Sequence, residues 1–136
     1  MGDRRARATA EAGMTLPELL VVMAIVGILV AVALPIFFNQ QAKAYDSAVQ
    51  SDLSTVAIAV RQHVDESSAL PVIAAAGDGY TLDGDALATS PGVVLSTISG
   101  DATNYCFSAT HPNGRTASAV GYRYSAVNGI EEGSCP

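Results

Sequence analysis

Leu19 to Phe38, LLVVMAIVGILVAVALPIFF, is a run of twenty residues without a charge. At 1.5 Å of rise per residue, a helix of that length spans roughly 30 Å, the thickness of a bilayer's hydrocarbon core. This run restricts the chain more than any other feature. It reads as a membrane helix or as a signal segment that is removed. One carboxylate, Glu18, stands at its mouth, and no further charge appears until Lys43. A charged side chain at mid-bilayer costs on the order of 2.5–3.5 kcal/mol by insertion scales. A chain that keeps an acid there needs a use for it.

Charge is distributed unevenly around the run. Residues 1–13 hold Arg4, Arg5 and Arg7 against Asp3 and Glu11. The remainder holds Lys43, Arg61, Arg115 and Arg123 against eleven acids, and the whole chain is at -6. Basic residues before an apolar span keep that end cytoplasmic, which places the acidic remainder outside. Cations are too scarce and scattered for a phosphate-binding surface, so no nucleic acid partner is expected.

The junction itself reads Gly13-Met14-Thr15-Leu16-Pro17-Glu18. A cut after Gly13 would leave a new amine on Met14, with Glu18 about one helical turn away. A carboxylate near a helix N-terminus is favoured by the dipole. Paired with a cation in an apolar bundle, it recovers part of its desolvation and fixes the stagger between neighbouring helices. Pro17 would then fall among the first four helical residues, whose N–H groups have no partner, so the cut would make it tolerable. Arg4-Arg5 does not make a twin-arginine signal, because the apolar run starts too late. Ala31-Val32-Ala33 supplies an A-x-A site, so a secreted soluble domain cut after Ala33 is an alternative. Against it, the apolar run continues through Ile36-Phe37-Phe38.

Gly27 and Pro35 are the weak points of the apolar helix, since proline removes a backbone bond and glycine adds backbone freedom. Local unwinding between them is expected to be cheap. From Gln40 to Glu66 the pattern becomes amphipathic. Tyr45, Val49, Leu53, Val56, Val60 and Val64 recur at three- and four-residue steps, with Asp46, Gln50, Asp52, Arg61 and Asp65 between them as the polar side. The simplest reading is one helix from Thr15 to Glu66, stopped by Ser67-Ser68 and Pro71. Residues 67–92 read as a connecting loop with room for one short helix or strand. Strands are expected at Val93–Ile98, Tyr105–Thr110 and Ala117–Tyr124, with turns at Pro112-Asn113-Gly114 and Asn128-Gly129.

Cys106 and Cys135 read as one disulfide in an exported domain, the alternative being two buried free thiols. Asp78, Asp83 and Asp85 in GDGYTLDGD form a weak calcium candidate whose spacing is not that of an EF-hand loop; the plainer reading is a solvated acidic loop. His63 and His111 are isolated and read as surface residues. Tyr105, Tyr122 and Tyr124 are expected on the sheet, partly in the core. Neither a nucleophile motif nor a set at metal-ligand spacing occurs, so no enzyme and no cofactor are expected.

The stretch from Gly13 through Glu18 to Leu29 resembles the N-terminal signature of type IV prepilins and type II secretion pseudopilins. Met14 stands where those families usually have Phe, and Pro17 where they usually have an aliphatic residue; neither change touches Gly13 or Glu18. The resemblance implies cleavage between Gly13 and Met14 by a prepilin peptidase and N-methylation of Met14. It implies that Glu18 meets the N-terminus of a neighbouring subunit, that a local melt maps to Gly27–Pro35, and that a disulfide ties Cys106 to Cys135. The implied fold is α+β, a pilin-like ladle. A long N-terminal helix, its first half transmembrane and its second amphipathic, packs on a small antiparallel sheet of three or four strands.

The implied organisation is a leader at 1–13, an assembly helix at 14–38 and an exported head at 39–136, comprising helix 39–66, loop 67–92 and β-meander 93–136. The implied partners are copies of the chain and other pilins, the peptidase, an inner-membrane assembly platform, and membrane lipid before assembly. The chain would sit in the inner membrane as a single-pass protein, leader inside and head outside, and then in a surface or periplasm-spanning filament. Other readings are a secretion or competence pseudopilin, a minor pilin, and a tip adhesin or DNA receptor, for which a basic strip on the head would be needed.

Overall fold

The computed structural model describes residues 13–136; residues 1–12 of the expected leader lie outside the described residues. The chain divides into two compact units, one ending at Phe37 and one comprising Phe38–Pro136. A single helix, α1 (Leu16–Ser67, 52 residues), contributes to both. Its bounds agree with the expected ones to within one residue. Valine and isoleucine are mediocre helix formers in water, but in hydrocarbon every backbone group must be satisfied within the segment, which favours the helix regardless. This is the one described helix long and apolar enough to cross a membrane.

α1 ends with one last helical bond and a serine side chain bonded back to the preceding turn. Ser67 Oγ donates to the His63 carbonyl at 2.8 Å, and Ser68 N–H donates to the Val64 carbonyl at 2.8 Å. Ser68 itself turns left-handed, at φ 57°, and Pro71 follows.

In the second unit the expected stripe is the core. Val49, Leu53, Val56 and Val60 are fully buried and cluster with Val93, Leu95, Tyr105, Phe107, Ala109 and Tyr122. Phe107 on the central strand is also fully buried. The α+β class and the long helix are as expected, but the head is richer in strands: eight, in two antiparallel sheets, rather than three or four.

The first sheet occupies the segment expected to be a loop. It is a meander of β1 (Ile73–Ala76), β2 (Gly79–Leu82) and β3 (Asp85–Leu87). Pairing of Ala76 with Gly79 leaves Gly77-Asp78 as a two-residue turn, and pairing of Leu82 with Asp85 leaves Asp83-Gly84. Asp83 (φ 50°) and Gly84 (φ 97°) both take positive φ, as the tight hairpin turn that matches strand twist requires.

The second sheet comprises β4 (Val94–Leu95), β5 (Ser99–Gly100), β6 (Tyr105–Thr110), β7 (Tyr122–Ser125) and β8 (Gly129–Glu132). Its order is β4-β6-β7-β8, with β5 also paired to β6. The expected strand Val93–Ile98 is thus shortened to β4, and β5 lies just beyond its expected end. The reason is local: Ser96 Oγ accepts the Ser108 N–H at 2.8 Å, so a side chain replaces a backbone carbonyl in the ladder. The expected strand Ala117–Tyr124 begins only at Tyr122. Before it, the Thr116 carbonyl accepts from the N–H groups of Ala119, Val120 and Gly121, winding those residues into a turn. The Asn128-Gly129 turn is present, closed by Ser125 Oγ accepting from Val127 and Asn128. Tyr80 joins the two sheets, its hydroxyl accepting the Leu95 N–H at 3.1 Å.

Candidate functional site

The start of α1 is built by a capping arrangement. Thr15 is the last residue before the helix and Glu18 the third within it. The Glu18 carboxylate reaches back to accept the Thr15 N–H and the Thr15 hydroxyl through one oxygen, both at 2.8 Å. This is the glutamate half of a capping box, whose T-x-x-E signal is present in the sequence. Leu19 N–H then donates to the Thr15 carbonyl, the first full helical bond. Pro17 takes the second helical position, where no N–H is needed. The helix therefore starts at Leu16 in a chain that still carries Gly13. This corrects the expectation that Pro17 becomes tolerable only after a cut. Gly13 and Met14 precede the helix in non-helical backbone, both exposed, so the peptide bond between them is open to solution.

Beyond this cap, the first unit offers apolar surface on every side. From Leu16 to Phe38 the large hydrophobic side chains range from 46% exposed at Val30 to 76% at Leu16, and none is buried. Gly27 and Pro35, the expected melting points, both lie within α1. In water this surface would be untenable; a single-sided stripe suffices for a helix that packs on one partner.

Residues 9–34 match the family model of the prokaryotic N-terminal methylation motif. The chain carries the type IV prepilin signature. The matched residues hold Gly13, Met14, Glu18 and most of the apolar run, and stop at Leu34. The motif belongs to structural subunits rather than enzymes. A search of curated proteins returns no match.

The prepilin signature ends before the head, whose own polar residues act as pins. Asp46 and Asp52 lie on the α1 stripe rather than its polar side, at 8% and 7% exposure. Asp46 accepts from Thr116 N–H and Ala117 N–H, at 3.1 and 2.9 Å. Gly114 is required at this pin, because a Cβ there would stand 2.6 Å from Asp46 Oδ1. Asp52 holds Ser90 through its N–H at 2.6 Å and its hydroxyl at 3.0 Å. Each carboxylate thus fastens a loop to the helix with charge-assisted bonds.

Asp83 works similarly. It accepts the Val72 N–H at 2.8 Å and lies 3.2 Å from His63 Nε2, tying the first sheet to α1. The calcium candidate does not assemble. Asp78 and Asp83 sit in turns at opposite ends of β2, and Asp83 is already engaged. Among the described residues no three His, Cys, Asp or Glu gather into a metal-holding set.

His111 is not a surface residue; it is 3% exposed. Its ring stacks on Tyr45 with centroids 4.3 Å apart. Nδ1 lies 3.1 Å from the Asn113 N–H, and Nε2 lies 3.2 Å from the Pro91 carbonyl. The neutral tautomer with the proton on Nε2 satisfies both contacts. Tyr105 and Tyr122 are buried and Tyr124 half-buried, stacked against Phe107.

Cys106 on β6 and Cys135 in the tail form a disulfide, with Cα atoms 5.8 Å apart. Arg123 holds the same tail by donating to Glu131 and to the Ser134 carbonyl.

Proposed function

We propose that the chain is the precursor of a filament subunit of the type IV pilus class, cut between Gly13 and Met14, N-methylated on Met14 and polymerised through the apolar half of α1. The prepilin signature over 9–34 carries this reading. The apolar run supports it, because surface exposed on all sides needs lipid first and other helices later. Before assembly the chain is held in the inner membrane as a single-pass protein, leader inside and head outside. Its partners are copies of itself and other pilins, the peptidase and an assembly platform.

Glu18 supplies register. In the single chain its carboxylate is occupied by Thr15. In the filament it exchanges that contact for the methylated amine of a neighbouring Met14, and only one stagger brings the two together. The charged pair offsets part of its desolvation there, whereas an unpaired carboxylate would not. Gly27 and Pro35 let the helix unwind locally as neighbours pack.

The test is Glu18→Ala in the native host. Cleavage after Gly13 persists and filament yield collapses, as measured by N-terminal sequencing and by electron microscopy of sheared filaments. Normal filament yield from this variant would show that Glu18 has no part in assembly.

A further inference from the structure

The head contains four cations. Arg123 is bound by Glu131, and Arg61 faces Tyr105. The other two, Lys43 and Arg115, are exposed and make no ion pair among the described residues. They come from distant parts of the sequence but lie at the same end of the head. Lys43 is three residues before Asp46 on α1, and Arg115 immediately precedes Thr116, whose N–H Asp46 holds.

Lys43 lies five residues beyond Phe38, where the apolar run ends, so helical rise places it about 8 Å along the axis. A bilayer of about 40–45 Å with a 30 Å hydrocarbon core leaves about 5–8 Å of headgroup on each side. A lysine stem bridges any remaining gap by reaching back along the helix. The loop carrying Arg115 also carries Val120, an apolar residue at 58% exposure. The acid nearest the pair, Asp46, is buried and engaged by Thr116 and Ala117, whereas Glu66 is 23 residues further along α1 than Lys43, about 35 Å away.

We propose that Lys43 and Arg115 form a headgroup clamp, by which this end of the head rests on a phospholipid surface bearing anionic phosphates while the chain waits in the membrane. The inference rests on the membrane-held precursor reading above. An anionic surface attracts this end within about a Debye length, and two cations from separate elements fix which side of the head faces the membrane. Assembly would have to release the clamp.

The full chain is reconstituted into phosphatidylcholine vesicles with and without phosphatidylglycerol, and hydrogen exchange is followed at the amides from Asn113 to Val120. The clamp predicts about fivefold or slower exchange with phosphatidylglycerol. That protection is lost at high salt and in Lys43→Gln/Arg115→Gln, while β6 amides are unchanged. Equal exchange in both vesicle types overturns the clamp alone. Protection that rises with protein-to-lipid ratio and ignores lipid charge assigns this surface to a second copy of the chain, and also overturns it. Failure of the chain to float with either vesicle type overturns the membrane-held reading and the clamp with it.

Discussion

The two halves of α1 both carry large apolar side chains, yet they stand in opposite relation to the rest of the chain. From Leu16 to Phe38 no large hydrophobic residue is buried; from Val49 to Val60 the stripe is buried completely. The difference lies in pattern. The first half is apolar all round, which suits lipid or a bundle of other helices. The second is apolar on one side, which suits a single sheet. One half has its partner within the chain, and the other must obtain one from outside. Stability should therefore reside in the head half, and assembly in the exposed half.

The sharpest test of that division is the same substitution in each half. Leu53→Ala opens a cavity in the core that also holds Phe107 and should cost about 2–5 kcal/mol in denaturant unfolding of the detergent-solubilised chain. Leu29→Ala, at a position 64% exposed, should change head stability by less than about 0.5 kcal/mol. Equal losses would break the comparison.

Next in size is the disulfide. Cys106→Ser/Cys135→Ser reopens a 29-residue separation and should cost roughly 3.5 kcal/mol in the chain-entropy account, read by the same unfolding curves. Asp46→Ala leaves the Thr116 and Ala117 N–H groups without their acceptor and should cost about 1–3 kcal/mol, with faster amide exchange at both positions.

The smallest effect concerns Asp101. Bonds from the Thr103 hydroxyl, the Thr103 N–H and the Asn104 N–H hold its carboxyl below the ordinary value of 3.8. A depressed carboxyl stabilises the fold above that ordinary value, and the contribution fades as pH falls through the depressed one. The stability difference between wild type and Asp101→Ala should be constant at neutral pH and shrink below about pH 3.8. A difference that grows on acidification would contradict this.

Much of this division was legible in the sequence, because periodicity reports directly on how many sides of a helix are covered. The valine and leucine spacing located the stripe, and the alternation at Tyr105–Thr110 located the central strand. Asp46 and Asp52 are polar by residue type but buried by position. Asp46 is three residues before Val49, and Asp52 four before Val56, so both fall on the buried stripe. The first sheet was missed because its strands are three or four residues long and largely exposed, although Asp83-Gly84 was a readable hairpin turn. At the N-terminus, T-x-x-E was a readable cap. His111 had no such signal: its burial depends on Tyr45 and Pro91, contacts that only the folded head creates.

The exposed half of α1 is kept and used in assembly rather than discarded, on the reading proposed above. N-terminal mass spectrometry of the mature chain from its native host tests this most directly. The expected mature chain begins at N-methyl-Met14 and retains the whole apolar run. A chain that begins at Leu34 would contradict it.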